Sequence, residues 1–413
     1  MTNTQRVLAG LAAGAILGVA LALWAPAQAA TAAAIAQPIG KIWLSALQMT
    51  VVPLVFALVV LGVNSARDAA ASGRTARTAI VVFLVLLALA ATIAALLAPF
   101  LLSLLPRDPA TAEAMRHALT ASTAPATAPT GPADWLANII PTNAIAAAAQ
   151  GAMLPLVVFA LFLGFALPRI DAAHRVQILG LLQGIADAMI VIVRWVLWAA
   201  PLGVFALVLA VTAKVGFDVI GALGAYIGLQ SGIYLLVTVL MYAVAIAFGG
   251  EKLRHFAAGI APAQGIAAST QSSLASLPVM LECARTRLGY RDEVSSLVLP
   301  MAASLFRITS PVQYVVASAF IAWASGIEIS TWHLLAVVPL TVVVSMGSVG
   351  LPGQVSFMAT NVPVAQALGL PVEPLGLLLA VDTIPDVFST IGNVTADLGA
   401  TAVVDKRTAA RGA

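Results

Sequence analysis

Charge is scarce in this chain: Asp, Glu, Lys and Arg make up 9% of its 413 residues, against about 25% in soluble domains. Together with 61% hydrophobic residues and a mean hydropathy of +1.02, that shortage excludes a soluble protein and places the chain in a bilayer. Cysteine is almost missing as well. The lone Cys283 excludes an intrachain disulfide and any cysteine metal cluster. Histidine is rare, and His117, His174, His255 and His333 all fall in or beside expected loops, which argues against a buried histidine site. No stretch of about 100 residues escapes the apolar runs, so a soluble domain of ordinary size has no room. The net charge of +3 gives no reason to invoke nucleic acid as a partner.

What is present is a series of apolar runs, enough for about eight spans of ~20 residues. The first thirty residues admit two readings. Arg6, an apolar run and Ala27-Gln28-Ala29 have the look of a cleavable signal peptide. The run is long for that, and Gly10, Gly14 and Gly18 form a small-residue ridge suited to helix packing in lipid, so it is kept as the first span. Spans 1 to 3 are expected over about 7–24, 42–63 and 79–105. Span 4 is broken between 139 and 168, span 5 runs over 176–211, and span 6 over 217–248. Arg67, Arg74 and Arg77 follow span 2, Arg169 and Arg175 follow span 4, and Lys252, Arg254 and His255 follow span 6. The positive-inside rule puts these turns in the cytoplasm with the N-terminus, and Lys406, Arg407 and Arg411 put the C-terminus there too. Residues 106–133, rich in Ala, Thr and Pro, read as a flexible external loop. Asp187 and Arg194 in span 5 read as structural.

Beyond residue 258 the spans change character. The segment 258–281 has the polar centre Ser269-Thr-Gln-Ser-Ser273 and basic turns at both ends, which fits a re-entrant hairpin from the cytoplasm better than a crossing. Exposed polar backbone is tolerated at membrane depth only inside protein or beside water. Span 7 is interrupted between Pro300 and Pro311; Pro311 disfavours helix at Ser310, so an unwound patch is expected to present carbonyls and the Thr309 and Ser310 hydroxyls. The segment 334–370 again has a soft centre, Ser345 to Gln354, read as a second hairpin entering from outside. The last span then carries Asp382, Asp386, Ser389, Thr390, Asn393 and Asp397 at helical steps on one face. An ionisable group at mid-membrane costs roughly 2.5–3.5 kcal/mol, so such a stripe must face protein, water, ions or a ligand. Hairpin plus helix occurring twice with opposite entry sides is the mark of an inverted-repeat secondary transporter.

These residues resemble one family. Met49-Thr-Val-Val-Pro-Leu-Val-Phe56, Ile140-Pro-Thr-Asn143, Leu154-Pro155, Ala200-Pro-Leu-Gly-Val-Phe205, Gln271–Pro278, Gly350-Leu-Pro-Gly353 and Asp382–Asp397 occur in the order seen in the dicarboxylate/amino acid:cation symporters, the glutamate-transporter family with its archaeal aspartate-transporter fold. The resemblance implies an all-α integral membrane fold of eight transmembrane spans plus two re-entrant hairpins, an elevator-type transporter with inverted repeats, assembled as a homotrimer. It implies scaffold spans in 1–65 and 134–212, with a mobile transport domain formed by 66–133 (span 3 and the external loop) and 213–413. It gives Asp386 the substrate amino group, and Thr390 and Asn393 the carboxylate region. Ser272, Ser273, Ser310, Ser389, Val349, Gly350 and Gly353 complete the expected substrate site. Asp397, with Asn393, would form a residual sodium site.

Three departures from the family pattern bear on function. The usual Asn-Met-Asp-Gly-Thr of span 7 is Phe306-Arg-Ile-Thr-Ser310 here, and span 3 offers Phe83, Leu86 and Leu87 where hydroxyl ligands are expected, so one sodium site looks absent. The arginine that pairs with an acidic side chain in acidic-amino-acid transporters is Ser389, which cannot make a bidentate carboxylate pair. Arg307 stands where the motif has methionine; it acts as a tethered cation compensating Asp397 or Asp386, as a structural counter-ion, or as a grip on an anionic substrate. The expected protein is therefore an inner-membrane symporter or exchanger for a small amino acid or dicarboxylate, without a cofactor and with Na+ or H+ as coupling ion, proton coupling or exchange without full sodium coupling being favoured over the family's usual sodium stoichiometry. Asp386 is the candidate proton carrier, and Asp382 and Asp397 share the charge balance with Arg307. The competing readings are an ordinary sodium-coupled acidic amino acid symporter and an anion channel. An intramembrane aspartyl protease fits poorly, because Asp382 and Asp386 lie on one helix.

Overall fold

The computed structural model describes residues 3–71, 73–105, 140–216, 218–347 and 353–409. All regular elements among them are helices, the form in which a single segment satisfies its own backbone in lipid. Seven helical stretches among the described residues are long and apolar enough to cross a membrane. The remaining expected crossing, span 4, is broken into α5 (Ala144–Ala149) and α6 (Met153–Ala166). Asn143 caps α5, its Oδ1 accepting from the Ile145 and Ala146 N–H groups at 2.9 and 3.1 Å. The expected external loop lies outside the described residues.

In the first half, α1 (Asn3–Trp24) lies against α8 (Ala200–Val215). A Cβ added at Gly10, Gly14 or Gly18 would collide with Pro201, Phe205 or Thr212, so the glycine ridge is the packing surface. Span 2 is longer than expected: α2 (Pro26–Gln48) turns at Met49–Thr50 into α3 (Val51–Ala71). α4 (Arg74–Ser103) is span 3. Span 5 differs from the single helix expected over 176–211. α7 (Ala172–Trp198) stops at Ala199 and α8 begins, because Pro201 has no N–H to continue the ladder. Trp43 Nε1 donates to the Val196 carbonyl at 3.0 Å, a second bond on an acceptor that also takes the Ala199 N–H beside that break.

In the second half, α9 (Asp218–Ala247) precedes the first hairpin, α10 (Leu253–Thr270) and α11 (Ser273–Glu282), which reverses at Gln271 in the left-handed region (φ +51°). Span 7 is α12 (Asp292–Leu305) and α13 (Thr309–Ala324), unwound across Phe306–Ile308. After α14 (Thr331–Ala336), the second hairpin consists of α15 (Val338–Gly347) and α16 (Gly353–Ala367); its tip, 348–352, is outside the described residues. The last span is α17 (Pro374–Val381) and α18 (Thr383–Ala409), jointed at Asp382. α18 is the hub, packed on α4, α9, α10, α12 and α13.

Candidate functional site

The polar stripe of the last span is buried where the broken seventh span crosses it. Ser389, Thr390, Asn393 and Asp397 are buried, and Asp382 and Asp386 are half-buried. Thr309 joins the two spans. Its backbone N–H and its hydroxyl donate to Asn393 Oδ1 at 3.1 and 2.9 Å, and its Oγ1 is 2.7 Å from Ser389 Oγ. The expected unwinding at Ser310 needs correction. The break lies earlier, and Thr309 and Ser310 form the first turn of α13. Pro311 is third in that helix, where its missing N–H would have no intrahelical acceptor.

Arg307, inside the break, reaches the second hairpin. Its Nη1 donates to Ser356 Oγ of α16 at 3.4 Å, and its carbonyl accepts from Ser345 Oγ of α15 at 3.4 Å. The Arg307 charge also acts on Asp382, Asp386 and Asp397. Asp397 is fully buried and neither of its oxygens has a hydrogen-bond partner, so Arg307 does not bond to it directly. Asp382 Oδ1 accepts from Gln313 Nε2 at 2.8 Å.

The first hairpin closes on the same place. Gln271 Nε2 donates to the Thr383 carbonyl at 2.9 Å, three residues before Asp386. Ser272 Oγ caps α11 by accepting from the Ala275 N–H at 3.2 Å, and Ser273 is half-buried beside it. Thr390 Oγ1 donates back to the Asp386 carbonyl at 2.8 Å. Of the expected substrate residues, Ser272, Ser273, Ser310, Asp386, Ser389, Thr390 and Asn393 thus belong to elements joined through these contacts. Ser389 turns toward Thr309, Gly353 opens α16, and Val349 and Gly350 lie outside the described residues. The sequence marks Gln271 and Ser345 only as members of the hairpin tips, and Gln313 and Ser356 go unmarked. Gln313 carried the clearest signal, an amide amid the apolar run that follows Pro311.

At the back of the site Phe306 stacks on Phe83 of α4, with centroids 4.7 Å apart, and Ile308 is fully buried. Carbon therefore occupies the places of the motif's asparagine and aspartate.

Similarity to known proteins bears on this arrangement. The family model described as "Sodium:dicarboxylate symporter family" matches residues 4–407. The "Proton/glutamate-aspartate symporter" of Escherichia coli (strain K12) is 27% identical over 376 residues, covering 89% of this chain and 84% of that protein. The "Proton/sodium-glutamate symport protein" of Bacillus subtilis (strain 168) is 26% identical over 377 residues, with 90% and 85% covered. The "Neutral amino acid transporter B(0)" of Mus musculus is 31% identical over 251 residues, with 59% of this chain and 44% of that protein covered.

Proposed function

This chain belongs to the sodium:dicarboxylate symporter family, and from that premise we propose a proton-coupled carrier of a small amino acid that has dispensed with one of the family's sodium sites. It is a secondary transporter and not an enzyme. The observation that carries the proposal is the stacked pair Phe83 and Phe306 beside Ile308. A hard cation needs several oxygens, and these side chains offer none. Asn393 Oδ1 already accepts two bonds from Thr309, which leaves it little capacity for an ion. Arg307 supplies a permanent positive charge among three carboxylates, the role of a tethered cation.

Asp386 is suited to a substrate ammonium group, beside the first hairpin's tip at Gln271–Ser273. Ser389 favours a neutral over an acidic side chain, since a short hydroxyl engaged with Thr309 cannot grip a carboxylate in a bidentate pair. The curated relatives include both acidic and neutral amino acid carriers by name. The elevator movement, a homotrimer, the inner membrane and cytoplasmic termini are part of the same proposal. They draw on family membership, on the basic turns and on the close approach of Gly62 in α3 to Gly347 in the second hairpin.

One observation favours a second reading. Asp397 is sealed from solvent with both oxygens unpartnered, which suits a bound sodium ion at that carboxylate. Uptake into proteoliposomes, across a panel of neutral and acidic amino acids and dicarboxylates with sodium and pH gradients imposed separately, decides between them. Accumulation of a neutral amino acid driven by a pH gradient alone is the expected result. A strict sodium requirement would overturn it.

A further inference from the structure

Beside Asp386, on the joint between α17 and α18, Asp382 faces a set of polar groups that substrate contact does not explain. Gln313 Nε2 of α13 donates to its Oδ1 at 2.8 Å. On α9, Tyr226, Gln230 and Tyr234 recur every four residues and share one face. All three are buried, and the charge of Asp382 acts on both tyrosines that flank Gln230. Among the described residues, both ends of the Gln230 amide and the Tyr226 hydroxyl have no hydrogen-bond partner. Native interiors do not leave an amide unsatisfied at both ends without a reason such as exchangeable water.

Charge balance points the same way. Among the described residues, Arg307 is the guanidinium whose charge acts on Asp382, Asp386 and Asp397. A substrate ammonium answers Asp386 and Arg307 answers one other carboxylate, so the third must be neutral, since an unpaired charge inside a membrane is not sustained. Asp397 is sealed from solvent, and among the described residues neither of its oxygens has a hydrogen-bond partner to pass a proton to or from. Asp382 is half-buried, held by the Gln313 amide, and its charge acts on the Tyr226 and Tyr234 hydroxyls. The groups facing it are Asp386 of α18, Arg307 of the break, Gln313 of α13, and Tyr226 and Tyr234 of α9. Of the other helices packed on α17, α16 carries no charged residue, and Arg6 of α1 and Lys214 of α8 are exposed.

We propose that Asp382, held by Gln313 and facing the Tyr226–Gln230–Tyr234 stripe, is the carboxyl that takes up and releases the coupled proton, which leaves Asp386 free to hold the substrate. This rests on the proton-coupled reading above. The proton adds to the carboxylate as substrate enters from one side and leaves to water on the other.

The test uses the purified full chain in proteoliposomes, with labelled serine and aspartate as probes. Wild type, Asp382→Asn and Gln230→Leu are compared for accumulation under a pH gradient and for counterflow exchange at several pH values. Asp382→Asn is expected to lose accumulation while still exchanging, with exchange no longer dependent on pH. Gln230→Leu is expected to keep accumulation with its pH midpoint moved by roughly one unit. Accumulation by Asp382→Asn equal to wild type overturns the proposal, as does loss of exchange together with accumulation, or an unmoved midpoint in Gln230→Leu. A wild-type protein that ignores the pH gradient and follows sodium removes the coupling reading itself, and this inference with it.

Discussion

Phe83 and Phe306 stack with their ring planes 9° from parallel, which binds the third span to the break in the seventh. Both rings are fully buried. Truncating Phe83 to alanine is expected to destabilise the protein by about 3 kcal/mol through the cavity it leaves, read as a lower unfolding midpoint in detergent. The paired change Phe306→Asn with Ile308→Asp restores oxygen ligands and is expected to make uptake respond to sodium. A sodium titration of uptake checks it; a flat response would show that the rings are not what excludes the ion.

Arg307 sits between the second hairpin and the carboxylates, bonded to Ser356 and accepting from Ser345. Arg307→Met is expected to raise the sodium dependence of transport, because a mobile cation must replace the fixed one. Uptake by the variant with and without sodium measures this. Unchanged ion dependence and unchanged substrate preference would reduce Arg307 to a structural counter-ion.

Gly62 and Gly347 meet where the second hairpin passes α3. A Cβ on Gly62 would lie 2.8 Å from the Gly347 Cα, and one on Gly347 would lie 3.1 Å from the Leu58 carbonyl oxygen. Gly62→Val is expected to slow turnover roughly tenfold, about 1.4 kcal/mol on the barrier, with substrate affinity changed far less. Comparing initial transport rate with equilibrium binding separates the two effects. An equal loss in both would place the glycine contact in folding instead of movement.

Thr309 is the link between the seventh and last spans. Thr309→Val keeps the backbone bond to Asn393 and removes the hydroxyl's bonds to Asn393 and Ser389. A cost of about 1–2 kcal/mol is expected, along with weaker substrate binding as Asn393 loses one of its two bonds from Thr309. Thermal unfolding and a binding isotherm on the same preparation report both. Ser389→Ala, which removes only one of these bonds, should fall between wild type and Thr309→Val.

The helix breaks show how far the chain could be read in advance. Pro53, Pro155, Pro311 and Pro385 each stand third in the helix after a break, a position that tolerates the missing N–H. Yet Pro38, Pro99, Pro262, Pro278, Pro300 and Pro363 lie inside continuous helices. Proline alone therefore does not say where a membrane helix opens, because neighbouring helices can satisfy the carbonyl it frees. That is why span 5 reads as one helix and folds as two, and why the seventh span opens one turn earlier than Ser310.

The residue order alone determined that this is a helical membrane protein with two polar-centred hairpins and a carboxylate-lined final span. Those features follow from the cost of desolvating charge and backbone, which acts on each segment by itself. Packing alone decided the partners: Thr309 with Asn393 and Ser389, Arg307 with both arms of the second hairpin, Phe83 with Phe306, Gln313 with Asp382. Each pair joins separate helices, and a local pattern carries no record of which distant side chain will fill the space in front of it.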